Sequence, residues 1–290
     1  MTLDECDNAI ARIRRTTHPA EACHALEPIF DYYEVMSIEL GRDSVFWRAR
    51  PAEASPFQSL KEMTYPPPPY AKLGRLNDDK SPCLYAATRE ETALLEIGAA
   101  HDSYVQLIGF KVKPSAAIRV ALIGELLHVY KTGYVRLTGT DPHRTLNRYL
   151  NEKGLETGRR VLYIDAFLAH LLGDPEAKNQ DYARTRALAS MIYRRKEIEG
   201  IMFPSVPAPL GMNLALKPDS TDKNLHPVCC LHARISRTRQ FGFIEFQVIH
   251  EAEGMDSDGK FVWTKAVDPS KRKYFNLTKQ EYEEAKRRSV

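Results

Sequence analysis

The strongest constraint on this chain is a series of short apolar runs. GIMFPS at 200–205, MNLALK at 212–217 and VCCLHARI at 228–235 follow one another closely. Each has strand length and is bounded by turn-forming residues, which predicts buried β-strands. VFWRAR at 45–50, CLYAA at 83–87, VQLIGFKV at 105–112 and AIRVALI at 117–123 read the same way. After residue 236, FGFIEFQVI and KFVWTKAV suggest a hairpin turning around Asp256 to Gly259.

Between these runs the apolar spacing changes to that of a helix. Residues 3–40 carry Ile10, Ile13, Leu26, Ile29, Phe30 and Tyr33 at helical spacing, with Pro19 separating two segments, so a helical hairpin is expected. Thr88 and Glu91 have the spacing of a capping box that opens a helix through Ile97. Residues 142–172 read as helical with interruptions near Gly154 and Gly158, and Tyr182–Arg195 as helical again. QEYEEAKRRSV closes the chain as a short helix whose acidic start and basic end suit the helix dipole. The four prolines at 66–69 supply no amide donors, which predicts a stiff extended segment. The expected fold class is therefore α+β, a mixed β-sheet core flanked by helices, with helices at the N-terminus.

Several functional classes are excluded or disfavoured. The chain has 41 basic against 38 acidic residues, far from the excess expected where phosphate neutralisation drives binding, so nucleic acid is not the leading partner. The basic clusters at 12–15, 194–196 and 286–288 are interspersed with acidic residues and read as solvated helix faces. The first residues, MTLDECDNAIARIRR, contain no apolar run suited to a signal sequence or membrane span, and a cytoplasmic protein is expected. The five cysteines form no CxxC pair and are expected to be reduced, small and buried. Neither GxGxxG, GxxxxGK[ST] nor GxSxG occurs, which removes the usual dinucleotide cradle, the P-loop and the serine-hydrolase elbow. Cys229, Cys230 and His232 alternate across a strand, so no metal site is expected from them.

Three segments remain that carry chemistry: GRLN with Arg75, LYAATREETALLEIG with Tyr85 and Glu96, and GIMFPSV with Ser205. Glu96 interrupts an apolar run near a helix C-terminus, where negative charge is disfavoured by ~0.3–1 kcal/mol, so helix stability does not explain it. Together these segments resemble the RES-domain family. Its pattern is a Gly-Arg turn, a Leu-Tyr-Ala strand, a Thr-Ala-x-x-Glu helix and a strand ending in Tyr/Phe-Pro-Ser, and this chain matches each in order over roughly residues 45–235.

The resemblance implies an ADP-ribosyltransferase-like fold and a toxin that cleaves the nicotinamide–ribose bond of NAD, with NAD as substrate and no cofactor or metal. It divides the chain into a helical extension at 1–43, a catalytic domain at 44–236, and a hairpin with a helix at 237–290. It makes Glu96 the carboxylate that stabilises an oxocarbenium-like state, a role one carboxylate can fill because nicotinamide leaves as a neutral molecule. Arg75 would offer a donor fork to the diphosphate or ribose, Tyr85 a ring for the nicotinamide, and Ser205 a hydroxyl for substrate or Glu96. Arg48 corresponds to an arginine that would reach phosphate. Many relatives carry arginine directly after Pro-Ser-Val, where this chain has Pro207, which puts phosphate recognition in doubt and leaves both a glycohydrolase and a phosphorylase open. Transfer of ADP-ribose to a protein, or a non-enzymatic nucleotide sensor, are the alternatives. An antitoxin or immunity partner is plausible from the family, and homo-oligomerisation stays open.

Overall fold

A computed structural model describes residues 1–41, 44–134, 142–208, 210–268 and 272–277. Helices α1 (Leu3–Arg15) and α2 (Pro19–Phe30) precede strands β1 (Ser37–Leu40) and β2 (Val45–Ala52). A short α3 (Leu60–Met63) leads to β3 (Leu84–Ala87), α4 (Glu90–Glu96), β4 (Tyr104–Val112) and β5 (Ile118–Leu122). Four helices follow, α5 (Glu125–Thr132), α6 (Pro142–Lys153), α7 (Leu155–Leu172) and α8 (Ala183–Ile192). Then come β6 (Gly200–Pro204), β7 (Met212–Leu216), α9 (Pro218–Asn224), β8 (Leu225–Thr238), β9 (Ile244–Met255) and β10 (Phe261–Lys265). The expected α+β class is observed.

Among the described residues the strands form one ten-stranded sheet in the order β1-β5-β6-β7-β3-β2-β4-β8-β9-β10. All pairings are antiparallel except β5 with β6. Alternation along each strand divides the core in two. Ile201, Phe203 and Ala215 face the packed helices, where Ile13, Leu26, Ile29, Ile164, Leu168 and Leu188 meet them. Farther along that same face, Trp47, Ala87, Leu107 and Leu231 pack under Leu94 of α4. The intervening residues Phe46, Leu84, Ile108, Met202 and Leu214 point the other way, onto Met63 and Phe275.

Asp165 of α7 is a buried carboxylate that knits this helical layer. It accepts the Gly124 and Leu127 amides at the start of α5, at 2.9 and 3.1 Å, and the Tyr33 hydroxyl at 3.0 Å. Burial raises its carboxyl above the usual range, opposed by those donors.

Four local expectations change. Ser37–Leu40 is a strand on the sheet edge, paired with Ile118–Ala121, because its backbone completes β5 where a helix would leave that edge open. α4 starts at Glu90, with Arg89 at its N-cap, and no capping box forms. Thr88 instead continues the sheet, its amide donating to the Met212 carbonyl at 2.9 Å. Pro68–Tyr70 forms a single 3₁₀ turn, since its hydrogen bonds come from Tyr70 and Ala71, which do carry amides. The break between α6 and α7 falls at Gly154, whose φ of +80° suits glycine, while Gly158 lies inside α7. The helix expected at the C-terminus and the basic cluster at 286–288 lie outside the described residues.

Candidate active site

Glu96 is the last residue of α4, and its position depends on what the helix buries. Thr92, Ala93 and Leu94 anchor one side of α4 to the sheet. Glu96 then emerges at the helix end beside the chain leaving β6. The Ser205 hydroxyl and the Asn213 side-chain amide both donate to Glu96 Oε1 at 2.6 Å. Both contacts fall on one oxygen, so Oε2 carries no hydrogen bond among the described residues. The carboxylate is thereby fixed in direction by two donors while Glu96 itself stays exposed.

Ser205 is held by the loop it begins. Its amide donates to the Gly211 carbonyl at 2.9 Å, and its Oγ accepts the Ala208 amide at 3.1 Å. The hydroxyl therefore has its proton to give to Glu96. Gly211 lets this loop lie against α4: a Cβ there would stand 2.7 Å from Thr92 Oγ1.

Tyr85 and Arg75 each have their own contacts, and among the described residues no hydrogen bond joins either of them to Glu96 or Ser205. Tyr85 lies opposite Ala215 on β7, and Ala87 opposite Asn213, so Tyr85 and Asn213 share a sheet face two residues apart, about 7 Å along the strand. The Tyr85 hydroxyl accepts the Leu76 amide at 2.8 Å and donates to Asn77 Oδ1 at 2.9 Å. Burial raises this hydroxyl well above its ordinary pKa, so it remains the protonated donor that Asn77 requires. With both hydrogen bonds made inside the protein, only the ring is left for a ligand. Gly74 makes room for the arrangement: a Cβ there would meet Asn77 Oδ1 and, at 3.0 Å, the Tyr85 hydroxyl.

Arg75 Nη1 donates to the carbonyls of Leu172 and Asp174 at the end of α7, the latter at 3.0 Å. Its guanidinium also lies 5.7 Å from the Tyr182 ring centre. Asp181 and Tyr182 both have positive φ, 48° and 54°, a left-handed backbone that bulky residues rarely adopt. Arg75 thus ties the turn before β3 to the helical layer, and part of its donor fork is already committed.

Arg48 is placed differently from the other four. It alternates with Trp47 and Ala49 and leaves the sheet on the face opposite α4. β2 and β3 share the single pair Trp47–Ala87, and in the gap beyond it Arg48 Nη1 donates to the Tyr85 carbonyl at 2.9 Å. Its Nε is buried without a partner, and burial, reinforced by Arg50, lowers its pKa to about 10. Arg48 shares no hydrogen bond with Glu96 or Ser205 among the described residues, and it supports β3 through the main chain.

Two residues that hold these side chains, Asn213 on Glu96 and Asn77 on Tyr85, carry no distinguishing signal in the sequence. Asn213 is a lone polar residue inside MNLAL, with no partner in view until β7 stands beside α4. Asn77 lay in a turn-rich stretch where asparagine is ordinary. Among the described residues no group of three or more His, Cys, Asp or Glu could hold a metal ion, and no helix is long and apolar enough to cross a membrane.

Comparison with protein families gives a match to the RES domain over residues 45–235. The chain belongs to the RES-domain family. That match runs from β2 into β8 and contains Arg48, Arg75, Tyr85, Glu96 and Ser205. Membership in the RES family is consistent with a toxin-like, NAD-related domain. Among curated proteins no relative matches this RES protein.

Proposed function

We propose that this protein cleaves the nicotinamide–ribose bond of NAD and uses water as acceptor. The observation that carries the reading is the Glu96 carboxylate held by Ser205 and Asn213 on the sheet face that also bears Tyr85.

A fixed anion beside an anomeric carbon lowers the energy of the oxocarbenium-like state without having to reorganise during reaction. The departing nicotinamide needs no proton, so no second carboxylate has to act as acid. In this reading Oε2 of Glu96 faces the ribose and the Tyr85 ring packs on nicotinamide. The uncommitted donors of Arg75 face the diphosphate. Pro207 stands where many relatives have arginine, which favours water over phosphate as acceptor.

The test is incubation of the purified protein with NAD, with and without phosphate, and identification of products by mass spectrometry. Nicotinamide and ADP-ribose are expected in both arms. ADP-ribose phosphate formed only with phosphate present would establish a phosphorylase instead. Glu96→Ala is expected to lower kcat by about 10²-fold or more with an unchanged circular dichroism spectrum. Undiminished nicotinamide release from that folded variant would remove Glu96 from the mechanism.

A further inference from the structure

A cavity lies away from Glu96, where the chain between α2 and β1 crosses the ends of α6, α7 and α8. Its volume is about 490 Å³, within the ~300–1,000 Å³ range of small-molecule sites. None of Arg75, Tyr85, Glu96, Ser205 and Asn213 lines it.

Its walls hold three kinds of group. Lys153, Arg160 and Arg195 bring positive charge from three different elements. Tyr32 and Tyr149 bring ring faces, and each already has a cation over it: Arg160 is 5.3 Å from the Tyr32 centre and Lys153 is 5.5 Å from that of Tyr149. Asp31 and Glu34 supply carboxylates on the connecting chain. Arg160 is itself braced, donating to the Met1 carbonyl at 2.8 Å, while its Nε has no acceptor. Arg195 donates through Nη1 to the Val35 carbonyl at 3.0 Å and through Nε to the Glu197 carboxylate at 2.8 Å, which leaves part of its donor fork for a ligand. Two guanidinium groups are thus preset by main-chain contacts before any ligand arrives.

A ligand that satisfies all three kinds of group needs an anionic end, a planar ring and hydroxyls that donate to carboxylates. From this combination we infer that the cavity is a second binding site for a nucleoside monophosphate. The phosphate lies among Lys153, Arg160 and Arg195, the base stacks on Tyr149, and the ribose diol donates to Asp31 or Glu34. The residues come from the N-terminal chain and from the helices inserted between β5 and β6, so occupancy is built into the helical layer and not into the Glu96 site.

The inference is tested by calorimetric titration of the full chain with AMP. Saturable binding is expected in the wild type and, with the same Kd, in Glu96→Gln. Lys153→Glu and Tyr149→Ala, both outside the catalytic cluster and checked for folding by thermal unfolding, are each expected to weaken AMP at least tenfold. Absence of saturable binding to the wild type overturns the inference. So does a loss of less than tenfold in either folded variant, or loss of binding in Glu96→Gln, which would place AMP at the NAD site. The NAD assay stands separately, since it reads nicotinamide release.

Discussion

Glu96 is an exposed glutamate whose meaning depends on two neighbours. A hydrogen bond to a charged group contributes ~1.5–3 kcal/mol, so each donor on Oε1 is significant in holding the carboxylate still. Asn213→Ala removes one of them while leaving Ser205 in place. We expect kcat for nicotinamide release to fall about 10- to 100-fold with KM little changed, since the ring and phosphate contacts proposed for binding remain. Steady-state kinetics over a range of NAD concentrations checks this. A rise in KM at constant kcat would instead assign Asn213 to substrate binding. Ser205 was legible as a residue after proline at a strand end, but its bond to Glu96 required β6 and α4 to meet.

At the scale of elements, the β8–β9 pair shows how register creates chemistry that neither strand carries alone. A register shift between His232 and Ala233 sets His232 opposite His250, with their Nδ1 atoms 3.1 Å apart. His232 Nε2 lies 2.9 Å from the Glu53 carbonyl and must donate there, so its Nδ1 accepts from His250. A proton on His232 Nδ1 would require His250 to move its own proton from Nδ1 to Nε2, or else set two N–H groups face to face. Burial, together with His250, lowers the His232 pKa below its usual value, against the opposing pull of the Glu53 carbonyl. The unfolded chain therefore binds the extra proton first as pH falls. The resulting stability is fully present above the ordinary histidine pKa of about 6.5 and is lost as pH falls through the lower folded value. The urea midpoint is expected to drop between about pH 7.5 and about pH 5, and to drop less in His232→Gln. Equal pH dependence in the two proteins would show that this pair does not set it. In the sequence, His232 is only one residue of a buried strand, because its partner lies 18 positions away.

For the whole molecule, the first thirty residues belong to the main core. Cys6, Ala9, Ile10 and Ile13 of α1, and Ala22, Leu26 and Ile29 of α2, join one cluster with α7, α8 and the sheet. Ile13 is fully buried there. Ile13→Ala should cost about 2–5 kcal/mol, the range for truncating a buried isoleucine, read as a lower urea midpoint with an unchanged slope. A cost near zero would mean that α1 packs only loosely. This helical layer also holds Arg75 through the Leu172 and Asp174 carbonyls, so packing of the N-terminal helices and geometry of the site are parts of one structure.

The order of local patterns determined much by itself. Strand length and bounding turns are short-range properties, which is why β2 to β8 lie close to their expected positions. The Gly-Arg, Leu-Tyr-Ala, Glu and Pro-Ser elements likewise stand in the sequence. Local pattern could not tell which face of the sheet a residue would use or which strands would be neighbours. Only the tertiary structure put Asn213 under Glu96, turned Arg48 to the far face and took Ser37–Leu40 into the sheet. Those outcomes depend on pairings between residues far apart in the chain, and no window of sequence contains both partners.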